Sequence, residues 1–128
     1  MNTYIKTVKD LPKSGLPYSA GIIAEGKFLF ISGQGPYDPA LGKFTRGSVA
    51  EQTKLTLECL RRVIEEAGAS IEDIVSCRAY LQQLTEKNFA EFNEAYGAFF
   101  PGNKPTRTTI GCQLMNIDVE IDCVVKMA

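Results

Sequence analysis

Two stretches near the C-terminal end decide the fold. Residues 105–109 read Pro-Thr-Arg-Thr-Thr, and residues 116–123 read Asn-Ile-Asp-Val-Glu-Ile-Asp-Cys. Between Ile117 and Val125, apolar side chains alternate with acidic ones before the pattern ends in two valines. Alternation with a period of two is typical of a strand that buries one face and exposes the other.

The segment before this strand alternates as well, with Arg107 and Thr109 on its polar side. Because Met115–Asn116 is short enough to reverse the chain, the pattern predicts a closing β-hairpin. In such a hairpin Arg107, Thr109 and Glu120 share one face of the sheet. A guanidinium and a carboxylate on one surface then mark the candidate functional site.

Composition narrows the class of protein. The chain has 128 residues, 45% of them hydrophobic, which predicts one globular domain over residues 1–128. Its 14 basic and 15 acidic residues are interspersed and give a net charge of −1, so nucleic acid is not an expected partner. The apolar runs are too short to cross a bilayer, and the first residues lack the apolar core of a signal peptide. We therefore expect a cytoplasmic protein without membrane contacts.

The chain contains no histidine. This absence excludes Ser-His-Asp and Cys-His catalysis, histidine general bases and zinc sites that need imidazole, and we expect no metal site. The four cysteines, at positions 59, 77, 112 and 123, show no Cys-x-x-Cys spacing. They are interpreted as reduced structural thiols.

Turn and capping residues divide the chain into elements. Ser48 with Glu51 forms a capping box that begins one helix, which Gly68 ends, and Thr85 can cap a second. Glu25–Gly26 predicts a tight turn between two strands. The predicted strands are Tyr4–Val8, Ser19–Ala24, Lys27–Ser32 and Ile74–Leu81, followed by the closing hairpin. The order is β-β-β-α-β-α-β-β.

This order predicts an α+β fold with a mixed sheet and both helices packed on one face. Yet some strands are apolar on both faces, as in the run Phe28–Ile31. An uncovered apolar sheet face needs a partner, and a second copy of the chain is the simplest one. The residues therefore predict self-association without fixing the number of subunits.

Several motifs resemble one known family. They are Gly-Leu-Pro-Tyr-Ser-Ala-Gly at 15–21, Ile-Ser-Gly-Gln-Gly-Pro at 31–36, Phe-Asn-Glu-Ala-Tyr at 92–96, Pro-Thr-Arg-Thr at 105–108 and Val-Glu-Ile at 119–121. In this order they resemble the reactive-intermediate deaminases, also called Rid or YjgF-like proteins and formerly L-PSP endoribonucleases. The resemblance implies a chorismate-mutase-like α+β fold, a homotrimer and sites in the clefts between subunits. It also implies cofactor-free hydrolysis of 2-aminoacrylate and related enamine or imine acids to 2-oxo acids and ammonia.

The resemblance also implies roles for individual residues. The family's carboxylate-binding arginine falls on Arg107, and its water-activating glutamate falls on Glu120. Thr109 stands where the family often has cysteine, and its hydroxyl can still form hydrogen bonds. The remaining substrate-binding positions fall on Tyr18, Ser32, Gly33 and Asn93.

These residue types suit imine hydrolysis. The planar guanidinium of arginine binds a carboxylate in a bidentate manner, and a glutamate can take a proton from the attacking water. The favoured function is a 2-iminobutanoate/2-iminopropanoate deaminase. A small-molecule-binding or regulatory trimer without turnover is the alternative. An endoribonuclease is less well supported, because the chain has neither histidine nor a basic stripe.

Overall fold

The computed structural model describes residues 2–128, and its elements follow the order β1–β5, α1, β6, α2, β7, β8. A short 3₁₀ turn, Ile71–Asp73, precedes β6. The helices are α1 (Val49–Glu66) and α2 (Glu86–Phe99). The strands are β1 (Thr3–Ile5), β2 (Gly21–Ile23), β3 (Phe28–Gln34), β4 (Tyr37–Asp38), β5 (Lys43–Phe44), β6 (Ile74–Leu81), β7 (Thr106–Gly111) and β8 (Val119–Lys126).

Both helices begin at the predicted caps. The Ser48 side chain accepts a hydrogen bond from the Glu51 backbone N–H, and the Glu51 side chain accepts one from the Ser48 backbone, so the capping box is complete. Thr85 caps α2 by accepting from the backbone N–H of Asn88. Gly68 follows Ala67, the C-cap residue of α1, and has a φ of 84°. A left-handed residue after a helix is the usual role of glycine there.

The main sheet has four strands in the order β3-β8-β6-β7. β8 lies at the centre and pairs antiparallel with both β3 and β6, and β7 pairs with β6 in parallel. Both helices pack on the same face of this sheet, where the apolar core lies. The α+β class, with two helices on one face of a mixed sheet, is thus confirmed.

The predicted closing hairpin is wrong. β7 and β8 are not neighbours, because β6 lies between them. Asn116 has a positive φ of 61°, so the chain does turn where expected. However, the connection 112–118 crosses the end of β6: the Cys112 N–H donates to the Leu81 carbonyl, and the Gln82 N–H donates to the Asp118 carbonyl. β7 and β8 therefore flank β6 on its two sides.

The N-terminal third also differs in its pairing. β2 pairs with β1 in a separate two-stranded sheet, not with β3 as the Glu25–Gly26 turn predicted. Gly26 nevertheless has the positive φ expected of a turn. The loop after β3 contains a small hairpin, β4–β5, that the sequence did not predict. Strands of two residues are too short to show alternation.

The other face of the sheet is covered by no element of the described chain. Phe30 is 76% exposed there, and Ile110 on β7 is also exposed. Tyr80 and Val124 lie between them on the same face. An exposed apolar sheet face of this kind is the feature that the two-sided apolar strands predicted.

A buried glutamine joins helix α1 to the start of β8. Gln52 is fully buried, and its amide donates to the Gly47 carbonyl at 3.0 Å and to the Asp118 carboxylate at 2.7 Å. The Asp118 backbone N–H donates back to the Gln52 side-chain oxygen at 2.9 Å. Arg46 then pairs with the same carboxylate at 2.7 Å. These bonds fix where β8 begins relative to the helix layer.

Candidate functional site

Arg107 and Glu120 lie on opposite faces of the sheet, so the predicted shared surface is wrong. Arg107 is paired with Cys77, and Cys77 is paired with the buried Cys123, which places Arg107 on the helix-covered face. Glu120 stands between the buried Val119 and Ile121 and therefore points to the uncovered face. The physical reason is that β7 and β8 do not form a hairpin. Each of them pairs with β6, so the registers of these two pairings determine which β7 and β8 side chains share a face.

Arg107 is surrounded by aromatic rings. Its guanidinium carbon lies 5.0–5.7 Å from the ring centroids of four residues: Tyr18, Phe89, Phe92 and Tyr96. Three of these belong to α2, which covers β7, so the cation stacks on their faces. Burial lowers the pKa of Arg107, yet arginine remains charged at any physiological pH.

The guanidinium has no carboxylate partner within the described residues. Its Nε and Nη1 atoms are buried and make no hydrogen bond, and Arg107 takes part in no ion pair there. Buried charged donors are nearly always paired, so an unpaired one calls for a ligand or water. The donors that remain free suit an anion with planar geometry.

The loop that carries Tyr18 is held in place on both sides. The Tyr18 hydroxyl accepts a hydrogen bond from Ser14 at 3.0 Å. The Ser19 N–H donates to the carbonyl of Pro105, two residues before Arg107. Pro17 packs against Gly97 of α2, where an added Cβ would lie only 3.3 Å from the proline ring. Tyr18 is thereby fixed beside Arg107 by backbone and packing contacts.

A cavity of about 460 Å³ opens at this position. Arg107, Thr109 and Tyr18 form its polar wall. The rest of its lining comes from Leu16, Leu84, Thr85, Glu86 and Phe89. The cavity lies within the volume range of small-molecule sites, and such sites combine apolar walls with a few convergent polar groups.

Two further predicted site residues lie on β7 and α2, the elements that carry Arg107 and three of its aromatic neighbours, and only Thr109 of the two lines the cavity. Thr109 is two residues along the same strand and face, and its hydroxyl is buried without a hydrogen-bond partner. Asn93 lies on α2 between Phe89 and Tyr96, one helical turn from each, and its side-chain oxygen is also buried and unpaired. These unpaired polar atoms and the guanidinium form the first half of the candidate site.

Ser32, Gly33 and Glu120 form the second half. Between Ile31 and Gln34 the register of β3 against β8 shifts, so Ser32 and Gly33 together oppose the single residue Asp122. This is a β-bulge, a common device for directing backbone groups out of a ladder. Gly33 lies so close to the Glu120 carboxylate that an added Cβ would collide with it. Only glycine fits at this position without displacing the carboxylate.

Glu120 differs from the two acidic residues beside it. Asp122 is paired with Arg78 at 2.9 Å and accepts a hydrogen bond from Tyr80. Asp118 is held by Arg46 and Gln52. Glu120 makes no side-chain hydrogen bond or ion pair among residues 2–128. Its carboxylate is therefore available to a ligand, whereas its neighbours hold the fold together.

The cysteines take no part in either half. All four are free, and Cys77, Cys123 and Cys59 are buried. Burial raises the pKa of Cys77 to about 12, so this thiol stays protonated and unreactive. Across residues 2–128, no group of three or more Cys, Asp or Glu side chains is arranged to hold a metal ion. In the same residues, no helix has the length and apolar character needed to span a bilayer.

Fold and site together define a class: a small α+β protein with an aromatic-walled, cationic pocket on one face of its sheet and a free carboxylate on the other. The family model described as Endoribonuclease L-PSP matches residues 8–127. A RutC family protein of Pyrococcus abyssi is 40% identical over 111 residues, which covers 87% of this chain and 85% of the relative.

Solved structures of related proteins indicate the same family. A Rid family protein of Yersinia pestis superposes with a TM-score of 0.88 at 25% identity, covering 98% of each chain. Escherichia coli TdcF, solved with bound serine, superposes with a TM-score of 0.73 at 27% identity, covering 98% of this chain and 100% of that one. The chain belongs to the Rid/L-PSP family.

Five residues of the cavity were not predicted as site residues from the sequence. Phe89 lines the cavity and lies near the Arg107 guanidinium, and Thr85, predicted only as a helix cap, lines the cavity too. Leu16, Leu84 and Glu86 come from two loops and the first turn of α2. Residues of this kind carry no periodic signal, because their positions depend on how distant loops meet.

Proposed function

We propose that this protein is a cofactor-independent 2-iminobutanoate/2-iminopropanoate deaminase. It hydrolyses reactive enamine and imine acids such as 2-aminoacrylate to 2-oxo acids and ammonia. The observation that carries the proposal is the unpaired guanidinium of Arg107 beneath four aromatic rings, facing a cavity of small-molecule size. A substrate carboxylate supplies the anion that this cation lacks. The serine bound to the related TdcF is likewise a small amino acid with a carboxylate.

The carboxylate half of the site comes from a second copy in this proposal. Within one chain, β8 and β7 are separated by β6, and Glu120 faces away from Arg107. The uncovered sheet face that carries Glu120 also carries the exposed Phe30 and Ile110. Burying this face between copies removes apolar area from water and brings Glu120 of one copy towards the cavity of another. A homotrimer with three such clefts is the assembly we propose.

The chemistry then needs no further group. The enamine tautomerises to the imine, whose carboxylate is held by Arg107. Water adds to the C=N carbon while Glu120 accepts one of its protons and passes it to the nitrogen, which gives a carbinolamine. Glu120 then takes the proton of the new hydroxyl and passes it to the nitrogen, so that the C=O bond forms, the C–N bond breaks and ammonia leaves. Backbone groups at the Ser32–Gly33 bulge lie beside Glu120 and help to position the water. Such acid–base assistance typically contributes about 10²–10⁴-fold.

The direct test generates 2-aminoacrylate in situ with a serine dehydratase. Pyruvate formation is followed with and without this protein. We expect a faster, protein-dependent phase of pyruvate release. The same spontaneous rate at every protein concentration would contradict the deaminase proposal.

The Glu120→Gln variant distinguishes the deaminase from the alternative, a binding or regulatory protein without turnover. This variant keeps the size and hydrogen-bonding capacity of the side chain but removes the base. It should bind a stable 2-oxo acid through Arg107 as the wild type does, while hydrolysis slows by at least about tenfold. A binder shows no acceleration in either protein. Equal rates in both proteins, with the assembly intact, would contradict the role of Glu120.

The endoribonuclease named in the family description is not the function we favour for this chain. Its charge is nearly balanced, at −1, and it has no histidine. RNA binding depends on phosphate contacts by basic groups. A cytoplasmic location accords with this proposal and stays a prediction.

A further inference from the structure

The cavity carries opposite charges on its lining. Arg107 provides the cation, and Glu86, in the first turn of α2, provides a carboxylate. Glu86 is exposed and has no ion pair or side-chain hydrogen bond among residues 2–128, whereas the next lysine, Lys87, pairs with Glu91 at 3.9 Å. The Glu86 carboxylate is therefore free to interact with a ligand in the cavity. The mechanism above makes no use of it.

The positive end of the α2 dipole does not cancel this charge. A helix N-terminus is equivalent to about half a positive charge, against a full negative charge on the glutamate. Part of that positive end is already occupied, because the Thr85 hydroxyl accepts from the Asn88 N–H. The full charge of Glu86 therefore outweighs the partial charge of the helix end at this wall of the cavity.

Apolar side chains complete the cavity lining. Leu16, Leu84 and Phe89 provide the apolar surface along which a carbon chain can lie. Leu84 is seated directly over Gly111, where an added Cβ would come within 2.8 Å of the leucine Cβ. The absence of a side chain at Gly111 thus leaves room for Leu84 at this position.

We propose that this cavity selects its ligand by the charge at the end remote from the carboxylate, and that Glu86 is the residue responsible. The proposal rests on the function given above for Arg107. Acids with an apolar or basic side chain are accepted, and acids that carry a second carboxylate are disfavoured. The substrate class is therefore monocarboxylic 2-imino acids with neutral or cationic side chains.

The size of the effect follows from exposure. Charge pairs at a solvated surface change affinity by up to about fivefold, and the effect weakens with salt. The contribution of the apolar walls is separate and does not depend on salt: each buried methylene adds up to about fourfold in affinity. We therefore expect two effects on ligand affinity. The preference for one terminal charge over another should weaken as salt is added, whereas the preference for a longer carbon chain should not change with salt.

Stable probes test the proposal without turnover. Pentanoate, 5-aminopentanoate and glutarate each have five carbons and differ in the group at the far end, and the six-carbon series repeats the comparison with a longer chain. Their dissociation constants are measured by calorimetry on the wild-type protein at low and at high salt. We expect 5-aminopentanoate to bind best and glutarate worst, with a spread of at least about threefold at low salt.

Glu86→Gln should make the affinities for the three probes more similar, mainly because glutarate binds more tightly to the variant. The control is Glu94→Gln, an exposed glutamate of the same helix that does not line the cavity, which should keep the wild-type order. Unchanged discrimination in Glu86→Gln, or no discrimination in the wild type, would overturn the proposal. Failure of the deaminase proposal is recognised separately, because it shows as absent pyruvate acceleration while these probes still bind.

Discussion

At the scale of single residues, Arg107 combines two properties that are rarely found together. It is stacked among four aromatic rings, and its buried donors have no partner. Stacking fixes the plane of the guanidinium before a ligand arrives, so little side-chain entropy is lost on binding. The site is thus organised for a planar anion in advance.

Substitution of Arg107 tests this geometry. Arg107→Lys keeps the charge but loses the planar fork and the stacking, so we expect it to reduce the rate of imine hydrolysis nearly as much as Arg107→Ala. The measurement is kcat/KM in the coupled pyruvate assay. Arg62→Lys, an exposed arginine of α1, is the matched control and should behave as wild type. An active Arg107→Ala variant would refute the carboxylate-binding role.

The buried thiols predict how stability depends on pH. Cys77 has a pKa of about 12 in the folded protein against 9.0 for an unperturbed thiol, because burial disfavours the thiolate. Between these values the unfolded chain loses a proton that the folded chain keeps. The free energy of unfolding should therefore fall as pH rises above about 9, by up to about 1.4 kcal/mol per pH unit for this group.

Urea unfolding at a series of pH values measures this slope. Burial also raises the pKa of Cys123, directly opposite Cys77 in the sheet, so both thiols contribute. Cys77→Ala should reduce the dependence of the free energy of unfolding on pH by the share that the Cys77 thiol contributes. This reduction is expected whatever the variant loses in stability at neutral pH. The same slope in wild type and variant would contradict the assignment.

At the scale of elements, the contact between α1 and the start of β8 depends on one buried amide. Gln52→Leu leaves the Asp118 N–H and the Gly47 carbonyl without their partners. Unpaired buried groups cost about 1–3 kcal/mol, so we expect a loss of stability of that order. Urea unfolding of this variant is compared with Gln113→Leu, whose side chain is exposed and makes no hydrogen bond within residues 2–128. Equal stabilities would show that the amide contributes nothing.

The elements also show how far the sequence predicts this structure. Helix starts followed from Ser48, Glu51 and Thr85, because capping is a local interaction. The pairing of β7 did not follow, since alternation identifies a strand but not its neighbour. From the sequence, residues 112–118 could either close a hairpin or cross the end of β6. Their hydrogen bonds to Leu81 and Gln82 stabilise the crossing connection.

The same distinction applies to the candidate site. Residue types within one strand segment, such as Arg107 with Thr109, were placed together correctly by spacing alone. The relation of Arg107 to Glu120 depended on a strand pairing that the spacing did not specify. The apolar wall and Glu86 come from segments distant in sequence, so only the folded structure reveals them.

At the scale of the whole molecule, the two site halves on opposite faces predict complementation between copies. Arg107→Ala and Glu120→Gln should each retain no more than about a tenth of the wild-type rate when assayed alone. If subunits are mixed by unfolding and refolding together, about one quarter of the clefts in a cyclic trimer combine both intact residues. We therefore expect about one quarter of wild-type activity in the mixture, measured in the coupled assay.

Sedimentation of the same samples provides the control, and three chains per particle is the expected mass. A mixture as inactive as its components, with the trimer intact, would mean that the site does not span two copies. A monomer that retains full activity would contradict the composite site altogether.

The placement of Arg107 and Glu120 on opposite faces has a consequence for dilution. In the proposed cleft built by two copies, a ligand binds the assembled form more tightly than the separated subunits and therefore stabilises the assembly by mass action. Specific activity then depends on protein concentration, falling when the particle dissociates. A substrate analogue added to a very dilute sample should therefore shift the equilibrium back to the assembled protein, which is the form that the reaction needs.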